Sequence, residues 1–315
     1  MFGRFKRRLS DLVTSRRQYD ELRMIGGLAV ISANRQRYRE CLGVKNYDAK
    51  IFSQFGEDGI LDYLLDINGI QKPSFVEIGT GDYAESNTRF LFQRTGGKGL
   101  IIDCDSRLEE KVCDTLGSYY WKGDLSVKSE FVTRDNILSL LMAGDDDWLG
   151  SDIFSLDIDG VDYWILKAIG ERLRAGIVVL EYNAYFGAQK SVTVPYSDRF
   201  NRSAHHVSNL AWGASLVALR DLMKELGYFF IGSNINCQNG FWLKDDLYAN
   251  SRRELEVLDL ESCVMNCCRE SRDAKGNMTF VRPTSRLNEM RDAVIIDLAD
   301  PLREKTVDEV FRDVL

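Results

Sequence analysis

The sequence predicts an α/β protein built on a parallel sheet with helices on both faces, and three observations carry that expectation. Short apolar runs recur between residues 74 and 183, each closing on an acid or a glycine and each followed by a polar turn or a helical stretch. The runs are apolar almost throughout rather than on alternate residues, as in strands buried on both faces of a parallel sheet. A later pair, YFFIGSN (228–234) and NGFWLK (239–244), reads as a hairpin, so the last strand should run antiparallel. With 315 residues, 44% hydrophobic and 28% charged, the chain is long enough for a core that needs no staples.

The elements follow in order. Residues 1–50 form a basic helical arm in which Phe2, Phe5, Leu9, Leu12 and Val13 recur at three- and four-residue steps, and Gly26-Gly27 is expected to break or end its first helix. This arm carries 12 Lys/Arg against 5 Asp/Glu, a balance of +7, which leaves −14 on the other 265 residues. Attraction to that acidic remainder favours packing on its own body or on a second subunit over a membrane surface. Strands are expected at SFVEIG (74–79), GLIIDCD (99–105), SYYWKGD (118–124), DIFSLDIDG (152–160) and GIVVLEYN (176–183). Helices are expected at Ser86–Arg94, Arg107–Leu116, about 128–142, Tyr163–Ile169 and Gly213–Leu226. Residues 184–212 form a long stretch of little periodicity holding aromatics and both histidines, which marks it as a functional loop rather than a disordered linker. The boundaries are thus an arm over 1–50, a core domain over 51–245, and a mostly helical extension over 246–315, read as a cap or subunit contact.

Charge and composition exclude several classes. A net charge of −7 argues against a nucleic-acid grip over the surface, and no run of 18 apolar residues predicts a transmembrane helix. The start MFGRFKRRLSDLV lacks the apolar core of a signal peptide, and seven cysteines fit a reducing cytoplasm better than a disulfide framework. Cys263, Cys267 and Cys268 form a C-x3-C-C cluster without the matching second half of a zinc site, so thiols are expected there.

Acids gather at the expected strand ends: Glu77, Asp103, Asp105, Asp124, Asp157, Asp159 and Glu181. In open parallel sheets ligands bind beyond those ends. The turn EIGTGDYA (77–84) brings Gly79 and Gly81 to the first of them, with Asp103 standing 22 residues past Gly81. That spacing matches a loose dinucleotide fingerprint, so an NAD-dependent oxidoreductase is one reading. Glu77 and Asp82 would repel a pyrophosphate, whereas a sulfonium nucleoside such as S-adenosylmethionine carries positive charge and no phosphate.

The strings SQFGEDGIL (53–61), FVEIGTGDYAESNT (75–88), GLIID (99–103), SLDIDGVDYWILKAI (155–169) and VVLEYNAYFG (178–187), continued by VTVPY (192–196), GASLVAL (213–219) and NGFWL (239–243), resemble the FkbM-like family of S-adenosylmethionine-dependent methyltransferases over about residues 50–245. The resemblance implies a class I methyltransferase (Rossmann-like) sheet of seven strands with the last antiparallel. It also implies that Glu77, Gly79 and Gly81 line the methionine part of the cofactor, that Asp103 takes the ribose hydroxyls, and that Asp124 meets the adenine end. Ser53, Gln54 and Glu57 would cover the pocket. Tyr83 stands where many such enzymes have a third glycine.

Methyl transfer requires an acceptor to be positioned and its proton removed. Asp157 and Asp159 at i and i+2 of one strand end are candidates for that proton, as is an imidazole of the His205-His206 pair, with His205 the candidate base. Asp157, Glu181 and Asn183 on neighbouring strand ends are candidates to hold Mg²⁺ against an acceptor diol. The expectation is a cytoplasmic O-methyltransferase acting on a sugar hydroxyl or similar small polar acceptor, a cell-surface glycan or secondary metabolite. The arm or the extension offers a route to a homo-oligomer. A non-catalytic relative docking through its arm is the remaining alternative, and a pocket blocked by Tyr83 would mark it.

Overall fold

Strand-forming runs separated by helical crossovers can pack only with the crossovers on the two faces of one sheet, and the chain does this. A computed structural model describes residues 2–117, 119–120, 124–265, 270–273, 275–281, 285–301 and 303–314, with the backbone alone described over residues 2–17. Its strands are β1 (Ser74–Ile78), β2 (Lys98–Asp103), β3 (Asp124–Ser129), β4 (Ile153–Leu156), β5 (Ile177–Glu181), the short β6 (Val192–Thr193), β7 (Tyr228–Ser233) and β8 (Asn239–Lys244). All but β6 join one seven-stranded sheet in the order β3-β2-β1-β4-β5-β8-β7. The pairs from β3 through β5 are parallel, and β8 runs antiparallel between β5 and β7. The expected antiparallel last strand is therefore present, inserted second from the edge.

Alternate residues of each strand feed two cores. Phe75, Ile101, Ile153, Val179 and Phe241 face α1 (Phe2–Arg35), α2 (Glu57–Ile67), α3 (Arg89–Thr95) and α4 (Leu108–Leu116). Val76, Ile102, Phe154, Leu180 and Trp242 face α5 (Ile137–Leu141), α6 (Asp162–Ile169) and, past the single turn α7 (Arg202–His205), α8 (Leu216–Glu225). Such two-sided burial explains why the central runs read as continuously apolar.

Two expectations about local structure are corrected. The third strand is 124–129, not 118–124, of which 118 and 121–123 lie outside the described residues. β3 is an edge strand with exposed ends and a half-buried middle, so DLSVKS carries a weaker apolar signal than the aromatic SYYWKGD before it. Nor does the arm break at Gly26-Gly27, because α1 runs through to Arg35. Gly27 lies so close to Ile51 that a Cβ there would fall 2.6 Å from its side chain, so this glycine serves helix packing. The arm docks on its own chain. Met24 and Ile31 are buried, Arg35 and Tyr38 bond the buried Asp62 of α2 at 2.9 and 2.8 Å, and Asp20 bonds Arg89 at 2.7 Å.

The tail is mixed rather than mostly helical. After α9 (Asp245–Ser251) come β9 (Ser271–Arg272), β10 (Met278–Thr279), α10 (Arg286–Glu289), β11 (Val294–Asp297), β12 (Glu304–Thr306) and α11 (Val307–Val310). β11 pairs with β6 and β12 in a small second sheet, and Met290, Ile295, Val307 and Phe311 enter the same core as Val76 and Leu180. Cys267 and Cys268 lie outside the described residues. Among the described residues no helix is long and apolar enough to cross a membrane.

Candidate active site at the carboxyl edge of the sheet

After β1 the chain leaves toward α3 on one face, and after the adjacent β4 it leaves toward α6 on the other. The loops part there, and a cleft of about 320 Å³ opens between them. Gly79 makes the opening possible. Its φ is +87°, and a Cβ would fall 1.6 Å from the carbonyl oxygen of Asp157, so only glycine lets the β1 turn cross the end of β4. Two residues on, Gly81 faces open space, and its N–H donates to the Asp103 carboxylate at 2.9 Å.

Among the described residues five acids line the cleft, Asp103, Glu130, Asp157, Asp159 and Asp198, and no Lys, Arg or His does. Beside it, one carboxylate oxygen each from Asp157, Asp159 and Glu181 lie within 4.8 Å of one another, close enough to hold a divalent cation. Burial, followed by the neighbouring Glu181 and Asp159, raises the Asp157 carboxyl well above the usual carboxylate range. Asp159 has a left-handed backbone, φ +58°, and accepts from Arg202 at 2.8 Å. Asp162, capping the loop by accepting from the N–H groups of Ile158 and Gly160, is pushed up to about 7 by burial and Glu181.

A strap over residues 196–202 crosses the mouth. The Tyr196 hydroxyl accepts from the Arg134 N–H at 3.0 Å and donates to Asp198 at 2.6 Å, and the Arg134 guanidinium lies 4.3 Å from the Tyr196 ring centre. Phe200 packs against Gly160, where a Cβ would meet its ring at 2.2 Å.

The expected site residues divide into two groups. Gly79, Gly81, Asp103, Asp157 and Asp159 line the cleft, and Glu181 stands beside them. Glu77 does not line it. That carboxylate accepts from the Ser86 and Thr88 hydroxyls and the Asn87 and Thr88 N–H groups, holding the loop in front of α3. Ser53 is buried against Asp58, and Glu57 accepts from Asn234 and Asn239, both at 2.7 Å, while Gln54 is exposed, so this segment braces the hairpin turn instead of covering the cleft.

Asp124 fails as an adenine contact because it begins β3, exposed and 3.7 Å from Lys98, at the opposite edge of the sheet. Glu130, Phe131 and Val132, just past the end of β3, line the cleft instead. Asn183 fails as a metal ligand, since its oxygen accepts from Tyr185 and its amide donates to Leu210 and Trp212. His205 packs against Phe200 with the rings tilted by 44° and its own ring bonded to the Val294 carbonyl, and burial lowers its imidazole below the usual range. His206 is held between Ser208 and Asp292, and neither imidazole lines the cleft. Tyr83 turns into the core with its hydroxyl on Thr88, leaving the cleft clear.

No family model matches the chain, and no curated protein matches it. Several solved structures are similar in fold. An O-methyltransferase family protein from Burkholderia thailandensis is 9% identical over 70% of this chain and 71% of that one, with a TM-score of 0.37. Coclaurine N-methyltransferase bound to N-methylheliamine and SAH is 12% identical over 78% and 77%, also with a TM-score of 0.37. A candidate sarcosine dimethylglycine methyltransferase from Galdieria sulphuraria is 14% identical with a TM-score of 0.36, and the chain covers 62% of its length, less than two thirds. These likenesses are loose; the strand order of the chain itself defines the fold.

Proposed function

We propose that this chain is an S-adenosylmethionine-dependent methyltransferase that O-methylates a sugar hydroxyl or a similar small polar acceptor. The observation that carries the reading is the cleft at the β1/β4 switch point, lined among the described residues by five carboxylates and no Lys, Arg or His. Such a lining attracts a sulfonium and an ammonium group and opposes a pyrophosphate, which disfavours a dinucleotide. Open space at the Gly81 Cβ position leaves room for a ligand to approach the backbone.

When bound, S-adenosylmethionine would supply a methyl group activated by its sulfonium. Gly79 and Gly81 would present backbone to it, and Asp103, oriented by the Gly81 N–H, would accept from the ribose hydroxyls. Phe131 and Val132 offer an apolar wall for the base. Asp157 is the residue placed to take the acceptor's proton: it lines the cleft, and its raised proton affinity suits a weakly acidic hydroxyl. Glu181 and Asp159 sustain that affinity. We place the chain in a reducing, cytoplasmic setting, which its odd count of seven cysteines suits better than a disulfide framework.

The test is calorimetric titration with S-adenosylhomocysteine in parallel with NAD⁺, each with and without Mg²⁺. Micromolar binding of the homocysteine nucleoside alone is expected. NAD⁺ binding alone, or binding of neither, overturns the reading, and a Mg²⁺ effect would assign a cation to the Asp157, Asp159 and Glu181 carboxylates.

A further inference from the structure

Outside the cleft lies an open groove lined by Phe131, Thr133, Asp198, Arg199, Phe200 and Asn201. Three of these, Phe131, Asp198 and Phe200, also line the cleft, so they form a doorway between the two spaces. A molecule in the groove would touch the side chains that touch the occupant of the cleft.

The doorway is built rather than incidental. Phe200 is seated on Gly160 and against the His205 ring, 5.2 Å away. Asp198 is aimed by the Tyr196 hydroxyl, which is itself fixed to Arg134. Asn201 caps α7 by accepting from the Ala204 N–H at 3.0 Å, and Arg202 ties the end of the strap to Asp159. Phe131, half of whose surface is in water, stands on the other side at the end of β3. Two aromatic side chains and a carboxylate in one groove lining match a ring that has an apolar C–H face and a rim of hydroxyls. Phosphate on that ring would meet Asp198 in the doorway and the four other carboxylates of the cleft.

We propose that the groove is the acceptor subsite, and that it takes the apolar face of a neutral pyranose between Phe131 and Phe200 while Asp198 accepts from a ring hydroxyl. The assignment rests on the methyltransferase reading for the role of its occupant. Phe131 and Phe200 then determine acceptor class, and Asp157, on the inner side of the doorway, meets whichever hydroxyl points through it.

Saturation-transfer NMR on the full chain, with and without S-adenosylhomocysteine, tests this with methyl α-D-glucopyranoside and methyl α-D-mannopyranoside as probes and glucose 6-phosphate as the charged control. Transfer to the ring C–H protons of at least one glycoside is expected, with little to the phosphate. Phe131→Leu and Phe200→Leu keep apolar bulk without an aromatic face, and each should weaken the glycoside signal about tenfold. No glycoside signal in protein that binds S-adenosylhomocysteine overturns the proposal, as does an unchanged signal in both variants or an equal signal from the phosphate. Ring-dependent glycoside transfer in protein that fails to bind S-adenosylhomocysteine would sink the methyltransferase reading and leave the groove standing.

Discussion

At the turn after β1, a methyl group added at residue 79 would overlap the Asp157 carbonyl, whereas one added at residue 81 would enter empty space. The two glycines therefore fail differently. Gly79→Ala must displace backbone and should cost about 4 kcal/mol or more of stability, read as a large drop in thermal midpoint. Gly81→Ala should cost only about 1 kcal/mol for its left-handed φ of +56°. Its new methyl sits where the ligand backs onto the turn, so S-adenosylhomocysteine affinity should fall far more than stability does. Asp157→Asn keeps the shape of the cleft and removes the proton acceptor. It should bind S-adenosylhomocysteine as the parent does and lose on the order of 10²-fold or more in methyl transfer. Asp103 and Asp157 were legible in the sequence because each ends a strongly apolar run that is buried on both faces. Phe200 was not: the sequence marked the 184–212 loop as functional, but only the fold brings its aromatic ring back onto Gly160.

Among the elements, the edge strand and the arm were the hardest to read, and for opposite reasons. β3 has a neighbour on one side only and little apolar content, so the aromatic segment before it drew the assignment and carried Asp124 with it. The arm has a clear helical period, but the paired glycines that read as a break are the contact surface for Ile51. That contact belongs to a larger junction. Arg89 at the start of α3 is buried, 4.0 Å over the Phe52 ring, donating to the Ala84 carbonyl and to Asp20 of α1. Asp20→Ala leaves that guanidinium without its counter-charge and should destabilise the fold by about 3 kcal/mol. Arg37→Ala, at an exposed pair with Glu40, should cost less than about 0.5 kcal/mol. Equal losses in chemical denaturation would refute the distinction.

Over the whole molecule, acids held in their protonated form set the response to pH. Burial, with Glu57 nearby, pushes Asp48 from 3.8 up to about 8, and Asp162 rises to about 7. The unfolded chain releases these protons near pH 4 and the folded chain keeps them, so their contribution is fully present below pH 4 and is lost as pH rises toward 7 and 8. Thermal midpoints should therefore fall from pH 6 to pH 8.5. Asp48→Asn retains an oxygen for the Ile235 N–H and removes the titration, so its midpoint should fall less over the same range. A steeper fall in that variant would contradict the assignment. The extension over 246–315 belongs to this scale as well. Its one compact apolar run, AVIIDLA (293–299), holds β11, but no repeating strand-and-helix pattern surrounds it to announce that β11 and α11 would close the core beside α8.

The bonds from Asn234 and Asn239 to Glu57 span 177 and 182 positions of the chain. During synthesis the Glu57 carboxylate is made early and waits, with no partner for its Oε1, until the β7–β8 hairpin has emerged. The antiparallel strand that slides between β5 and β7 must then arrive last, and such distant pairings form slowly. A nascent chain stopped before residue 228 would have every cleft-lining residue and still lack the brace behind α2, so maturation of the site is tied to completion of the sheet rather than to the order in which its residues are translated.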